Sequence, residues 1–190
     1  MQEVYAMMIF VGLSFSGFVT LMNKGATLRE MTFQKTLNYA LIVTVVNVTA
    51  VLAGYGISVI FAGLLSEGVK ITAAYLVLFF LGIFFTVGGF FRRNAEEKLD
   101  KDFDNYECFR LALRFSWAFL LVGAGCFMIG VHVIPCLLVT GILSMAFSLG
   151  ALQTGYTQGP GFSRIVSISG GVLMIVFTVL RFLSYLSDRW

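Results

Sequence analysis

Apolar runs of membrane length recur along the chain, separated by short polar breaks. A helical bilayer crossing takes about 20 mostly apolar residues. The first run spans residues 4–22 and gives way to a polar link over 23–35. The second, 36–65, is longer than one crossing needs, which predicts a tilted helix or protruding ends. A turn at Ser66-Glu67-Gly68-Val69-Lys70 leads into the third run, 71–91. Segment 92–110 is the most charged of the chain. Residues 111–152 then stay apolar for two crossings' length. The break between those two falls near Gly130 and Pro135, since proline suits the first turn of a helix and not its interior. Gly155, Gly159, Pro160 and Gly161 predict a loop over 153–164, followed by a last run at 165–185. The pattern predicts an all-α polytopic membrane protein with six transmembrane helices.

Composition agrees. Apolar residues make up 58% of the 190 and charged residues 12%, so a soluble domain could not hide its apolar surface. Twenty Phe and 20 Gly against 2 Pro fit tightly packed helices in lipid. These figures exclude a soluble enzyme, a disordered chain, a disulfide-rich secreted module and a nucleic-acid binder. The first basic residue is Lys24, so the first apolar run lacks the positive start of a secretory signal and is expected to remain as a membrane helix.

Charge placement sets the expected orientation. Ten of the 13 basic residues fall in or beside the links 1–2, 3–4 and 5–6, including Lys24, Arg29, Arg92, Arg93, Arg114 and Arg164. Lys and Arg favour the cytoplasmic side, which puts those links inside and both termini outside. The charged linker, 92–110, divides the chain into a three-helix half at 1–91 and another at 111–190. With an odd number of crossings in each, the halves enter the bilayer from opposite sides, the inverted-repeat plan of many secondary transporters. A faint echo accompanies it: Phe15-Ser16-Gly17-Phe18 against Phe115-Ser116-Trp117-Ala118-Phe119, and Gly88-Gly89 against Gly170-Gly171.

None of the ten carboxylates lies inside a predicted span. An intramembrane acid is the usual marker of an ion or proton pathway, and a hard-metal site normally uses carboxylate oxygens. Uncharged polar groups remain. Asn47 is the one amide expected in the middle of a helix, where it must find a partner or a wet cavity. Thr20, Thr44, Thr49, Ser16 and Ser116 complete the candidate substrate pathway, with Ser14, Ser144 and Ser148 able to line the same space. The plainer alternative for each is hydrogen bonding between helices. Recurrent glycines, among them Gly54, Gly56, Gly82, Gly123 and Gly171, predict close helix approach. Cys126, Met128, His132 and Cys136 cluster near the 4–5 turn and form a candidate soft-metal or disulfide group; the alternative is apolar packing. Cys108 is expected in the cytoplasmic link. Arg181, late in the last span, can reach outward to the interface. No cofactor motif appears.

Gly12-Leu13-Ser14-Phe15-Ser16-Gly17-Phe18, followed by Lys24-Gly25-Ala26-Thr27-Leu28, resembles helix 1 and the first loop of the MntP-type bacterial manganese efflux pumps. Gly54-Tyr55-Gly56, Phe80-Leu81-Gly82, Gly89-Phe90, residues 116–125 and Ser169-Gly170-Gly171 extend the resemblance over most of the chain. The resemblance implies six helices in inverted halves in a bacterial inner membrane, and export of manganese(II). At the family's acidic positions this chain has Ser16, Asn47, Gly88 and, within one residue, Ala118. Neutral side chains therefore stand where the family's pattern has metal-handling carboxylates.

Three functions follow as expectations. The first is a membrane transporter that moves a small ion or solute by alternating access, with manganese the substrate the resemblance implies. The second is a transport-inactive relative that binds a membrane partner. The third is a thiol-redox or soft-metal protein that uses Cys126 and Cys136. The lipid bilayer is the expected surrounding, and the sequence leaves oligomeric state open.

Overall fold

A computed structural model describes residues 2–27, 32–61, 66–91, 104–158 and 163–187. It contains six helices: α1 (Gln2–Gly25), α2 (Phe33–Phe61), α3 (Glu67–Phe91), α4 (Asn105–Ile129), α5 (Val133–Gln158) and α6 (Ser163–Ser187). Helices α2 to α6 are long and apolar enough to cross a membrane, and α1, 24 residues long, packs among them against α5 and α6. Large apolar side chains such as Ile60, Phe80, Ile134 and Ile142 are well exposed. In water that surface would drive aggregation, whereas lipid solvates it. The molecule is a multi-pass α-helical membrane protein.

The helix boundaries have local causes. The Asp104 carboxylate accepts a bond from the Asn105 N–H at 2.7 Å and caps α4. Gly130 ends α4 in the left-handed conformation, with φ at 83°, and its N–H bonds back to the Cys126 and Phe127 carbonyls. Pro135 then sits in the first turn of α5. Two expectations change. The charged link reaches only to Asp104, because Asn105–Arg110 already form the start of α4; residues 92–103 lie outside the described residues. Likewise Gln153–Gln158 continue α5 instead of forming a loop. Arg29 and residues 159–162 are also outside the description.

Helix α2 lies on α4 and α5, α1 on α5 and α6, and α3 on α6 and α4. Each of these partnerships joins one of the first three helices to one of the last three. Glycines make the closest crossings. A Cβ on Gly54 would strike the Leu120 carbonyl, and one on Gly123 would strike the Val51 carbonyl. The α1–α5 crossing repeats this pattern: a Cβ on Gly155 would strike the Met22 carbonyl, and one on Gly25 would come within 2.6 Å of the Leu152 oxygen. In every case the glycine follows by three residues the one whose carbonyl faces the other helix. Between α3 and α6, Gly82 meets Ile175 and Gly171, while Gly171 meets Thr86 and Gly82.

Exchanging α1 with α4, α2 with α5 and α3 with α6 turns the first two crossings into one another and the third into itself. Under this exchange Gly17 and Phe115 are counterparts, and a Cβ on Gly17 would lie 3.5 Å from the Phe115 ring. The echo pairing Phe15 with Phe115 is therefore out of step by two positions, which on a helix turns a side chain by about 200°.

Candidate substrate pathway

The α2–α5 crossing holds a polar contact deep in the bundle. Asn47 is 2% exposed and Ser144 is 3% exposed. The Asn47 Nδ2 donates to the Ser144 Oγ at 2.8 Å. The other end of the same amide, Oδ1, is buried and has no hydrogen-bond partner. An orphaned buried carbonyl oxygen costs about 1–3 kcal/mol, so this atom is poised to accept a proton donor or a cation.

Thr44 lies one turn earlier on the same face of α2. Its hydroxyl donates to the Ala40 carbonyl at 2.7 Å and lies 3.8 Å from the Met145 sulfur. Asn47, Ser144, Thr44 and Met145 thus gather neutral oxygen and sulfur donors at one crossing. Ser148, one turn beyond Ser144 on α5, is also buried. Met145 was not among the candidates from sequence, because a methionine in an apolar run carries no signal of its own.

The other candidates are distributed more widely. Thr49 is exposed and donates to the Val45 and Val46 carbonyls of its own helix. Two residues after Asn47, it is turned about 200° away and lies apart from the cluster. Ser116 is buried on α4 and donates to the Leu113 carbonyl at 3.0 Å. Ser14 likewise serves its own helix through the Phe10 carbonyl. Thr20 is half-buried on α1. Ser16 falls within α1, but its side chain is outside the described residues. Most hydroxyls therefore satisfy themselves on their own i−3 or i−4 carbonyls, instead of bonding between helices as the plainer alternative expected. Among the described residues, Asn47–Ser144 and the weaker Thr44–Met145 contact are bonds of the expected kind, both between α2 and α5.

The remaining positions singled out by the resemblance are apolar in surroundings as well as in kind. Ala118 is 1% exposed within the α4 packing. Gly88 is exposed, with nothing within 4 Å of a notional Cβ, on an α3–α4 crevice of about 710 Å³ walled by Phe80, Phe84, Val87 and Trp117. The carboxylates keep to helix ends or beyond: Glu3, Glu67 and Glu107 occupy first turns, Asp104 is a cap, and the other six lie outside the described residues. Among the described residues, no carboxylate lies in the interior of a helix.

The cysteine cluster resolves into a pair. Cys126 and Cys136 are both buried free thiols, close to each other and not joined in a disulfide. His132 is exposed and Met128 half-buried; among the described residues no three His, Cys, Asp or Glu side chains converge as a metal site. Cys108 is not in a link: it is fully buried in α4, with its sulfur 3.8 Å from the Tyr39 carbonyl. Buried thiols react slowly. Maleimide is therefore expected to label none of the three in the folded protein within the time that labels all three in denaturant; rapid native labelling of Cys108 would contradict this packing.

A multi-pass bundle with a buried, uncharged polar crossing defines a class, the polytopic α-helical membrane proteins. Residues 30–182 match the sequence model of a family described as "Putative manganese efflux pump", Mntp, and the chain belongs to that family. It is similar to proteins with that description and the name MntP from Serratia proteamaculans, 26% identical over 179 residues that cover 93% of this chain and 94% of that one. Another is from Citrobacter koseri, 26% identical over 178 residues, covering 92% and 93%. No solved structure matches the chain.

Proposed function

We propose that this chain exports a cation across the bacterial inner membrane by alternating access, with manganese(II) as the substrate and the α2–α5 crossing as the occluded point of its path. The observation that carries this reading is the buried Oδ1 of Asn47, which has no hydrogen-bond partner although the same amide bonds the Ser144 hydroxyl. Manganese(II) accepts carbonyl and water oxygens, and an amide oxygen is a neutral donor of that kind. The proteins similar to this chain are described as manganese efflux pumps, which supports the substrate and argues for a transporter instead of an enzyme.

The crossing pattern supports an inverted-repeat motion. The halves 1–91 and 111–190 interlock, since α2 holds α4 as α5 holds α1. If they are related by an axis in the membrane plane, rocking one set of helices against the other exposes the axis to one side and then the other. Asn47 and Ser144 lie where α2 and α5 cross, a crossing that the exchange maps onto itself. Termini outside the cytoplasm follow from the placement of the basic residues.

Neutral donors leave the ion's charge uncompensated, a cost of at least several kcal/mol for a divalent cation in a low-dielectric site. The ion is therefore expected to bind weakly and to keep water in its coordination shell. A second reading has one observation in its favour. The Asn47–Ser144 bond closes the crossing, which also suits a transport-inactive relative that binds a membrane partner. Purified protein in liposomes separates them. With a manganese-quenched dye inside, manganese entry should exceed that of protein-free liposomes at millimolar outside concentration. Equal rates would sink the transport reading.

A further inference from the structure

Helices α3 and α6 run antiparallel, so the start of α3 meets the end of α6: Tyr75 packs edge-on against Phe182, with ring centroids 5.7 Å apart, while Gly82 meets Ile175 further in. Between them lies a cavity of about 300 Å³, lined by Thr72, Tyr75, Phe79, Thr178 and Phe182. Leu76 and Val179, also in its wall, are exposed. The cavity thus opens on the outer surface of the bundle, the side that faces lipid.

Two polar features mark it. Thr178 is 1% exposed, yet its hydroxyl has no partner. Thr44, Thr86 and Thr140 all bond the carbonyl four residues back, so the stranded Thr178 oxygen departs from the habit of this fold. One turn nearer the helix end, the Arg181 guanidinium lies close to the Tyr75 hydroxyl that lines the cavity. No carboxylate is among the residues lining the cavity.

We propose that this cavity binds one anionic phospholipid molecule. An acyl chain fills the space beside Phe79 and Val179, the Thr178 hydroxyl donates to an ester carbonyl, and Arg181 holds the phosphate. The order of the groups fits. Three residues of helix separate Thr178 from Arg181, about 4.5 Å of rise, which is comparable to the reach of the glycerol unit that joins ester to phosphate. The cation lies on the headgroup side and the hydroxyl deeper, followed by the aromatic and aliphatic wall. A guanidinium carries five N–H donors, enough to serve Tyr75 and a phosphate together. An anionic lipid neutralises the charge at the cavity mouth, whereas a zwitterionic one adds its own cation there. Arginine pairs with phosphate through charge-assisted, often bidentate hydrogen bonds, which favours an anionic headgroup on either side of the membrane.

Native mass spectrometry of the purified full chain tests this, with phosphatidylglycerol and phosphatidylcholine of identical acyl chains as the two probes. The wild type should retain one phosphatidylglycerol about fivefold more than one phosphatidylcholine. Arg181→Gln should bring the two to parity, and Arg181→Lys should keep part of the preference. Leu76→Trp, which fills the cavity without altering charge, should lower retention of both lipids. Equal retention by the wild type, or an undiminished preference in Arg181→Gln, would overturn the assignment. The wild-type comparison stands by itself if a variant fails to fold.

Discussion

Asn47→Leu is expected to lower manganese flux in liposomes by about tenfold to a hundredfold, the loss that follows when a hydrogen bond or dipole serving a charged group is removed, about 1.5–3 kcal/mol. The substitution keeps side-chain size, removes the orphaned Oδ1 and leaves Ser144 able to bond its own helix, so helix content and yield should stay near those of the parent. Asn47→Asp has the same shape and adds a charge beside the ion's path. It should raise manganese affinity by about tenfold, with flux limited by release. A leucine variant that transports as well as the parent would place the path elsewhere in the bundle.

The second large effect is on folding. Gly54→Ala is expected to destabilise the protein by about 1–3 kcal/mol or more, because the new methyl would strike backbone, the Leu120 carbonyl, which cannot turn aside. Gly56→Ala on the same helix should be neutral or stabilising by up to about 1 kcal/mol, since nothing lies within 4 Å of its Cβ position and alanine is the better helix former. Gly123→Ala, in the same crossing, and Gly155→Ala, the counterpart of Gly54 under the exchange of halves, should behave like Gly54→Ala. The measurement is the midpoint of thermal unfolding in detergent, followed by the loss of monodisperse protein. Equal midpoints for the Gly54 and Gly56 variants would mean that α2 and α4 do not approach as closely as described.

The spans were legible because a membrane helix must be apolar for about 20 residues, and Gly130 with Pro135 announced the one break hidden inside an apolar run. The start of α4 differs from the sequence expectation for a physical reason. Asn105, Tyr106, Glu107, Phe109 and Arg110 are exposed, so the first turns of that helix are polar, although Asp104 caps them. Site residues were harder to read. Helix α2 is apolar on all sides, so its sequence does not tell which face meets protein and which meets lipid. Asn47 stood out by its chemistry, but Thr44 and Thr49, equally plausible by composition, fall on opposite sides. Close-approach glycines were legible as a class, while only packing separates Gly54 from Gly56. The pairing of Tyr75 with Arg181 joins residues far apart in the chain, and nothing local announces it.

The central claim is that a crossing without carboxylates still passes manganese. Cellular metal content, measured by mass spectrometry in a strain that lacks its own manganese exporter, tests it most directly, with this chain and its Asn47→Glu and Ser16→Asp, Asn47→Glu variants expressed in parallel. The account predicts that the wild type lowers cell manganese, that iron and zinc do not change, and that added carboxylates lower manganese further at low external concentrations. Unchanged manganese with the wild type, at expression levels where the double variant lowers it, would contradict the account and show a scaffold whose neutral site no longer transports the ion.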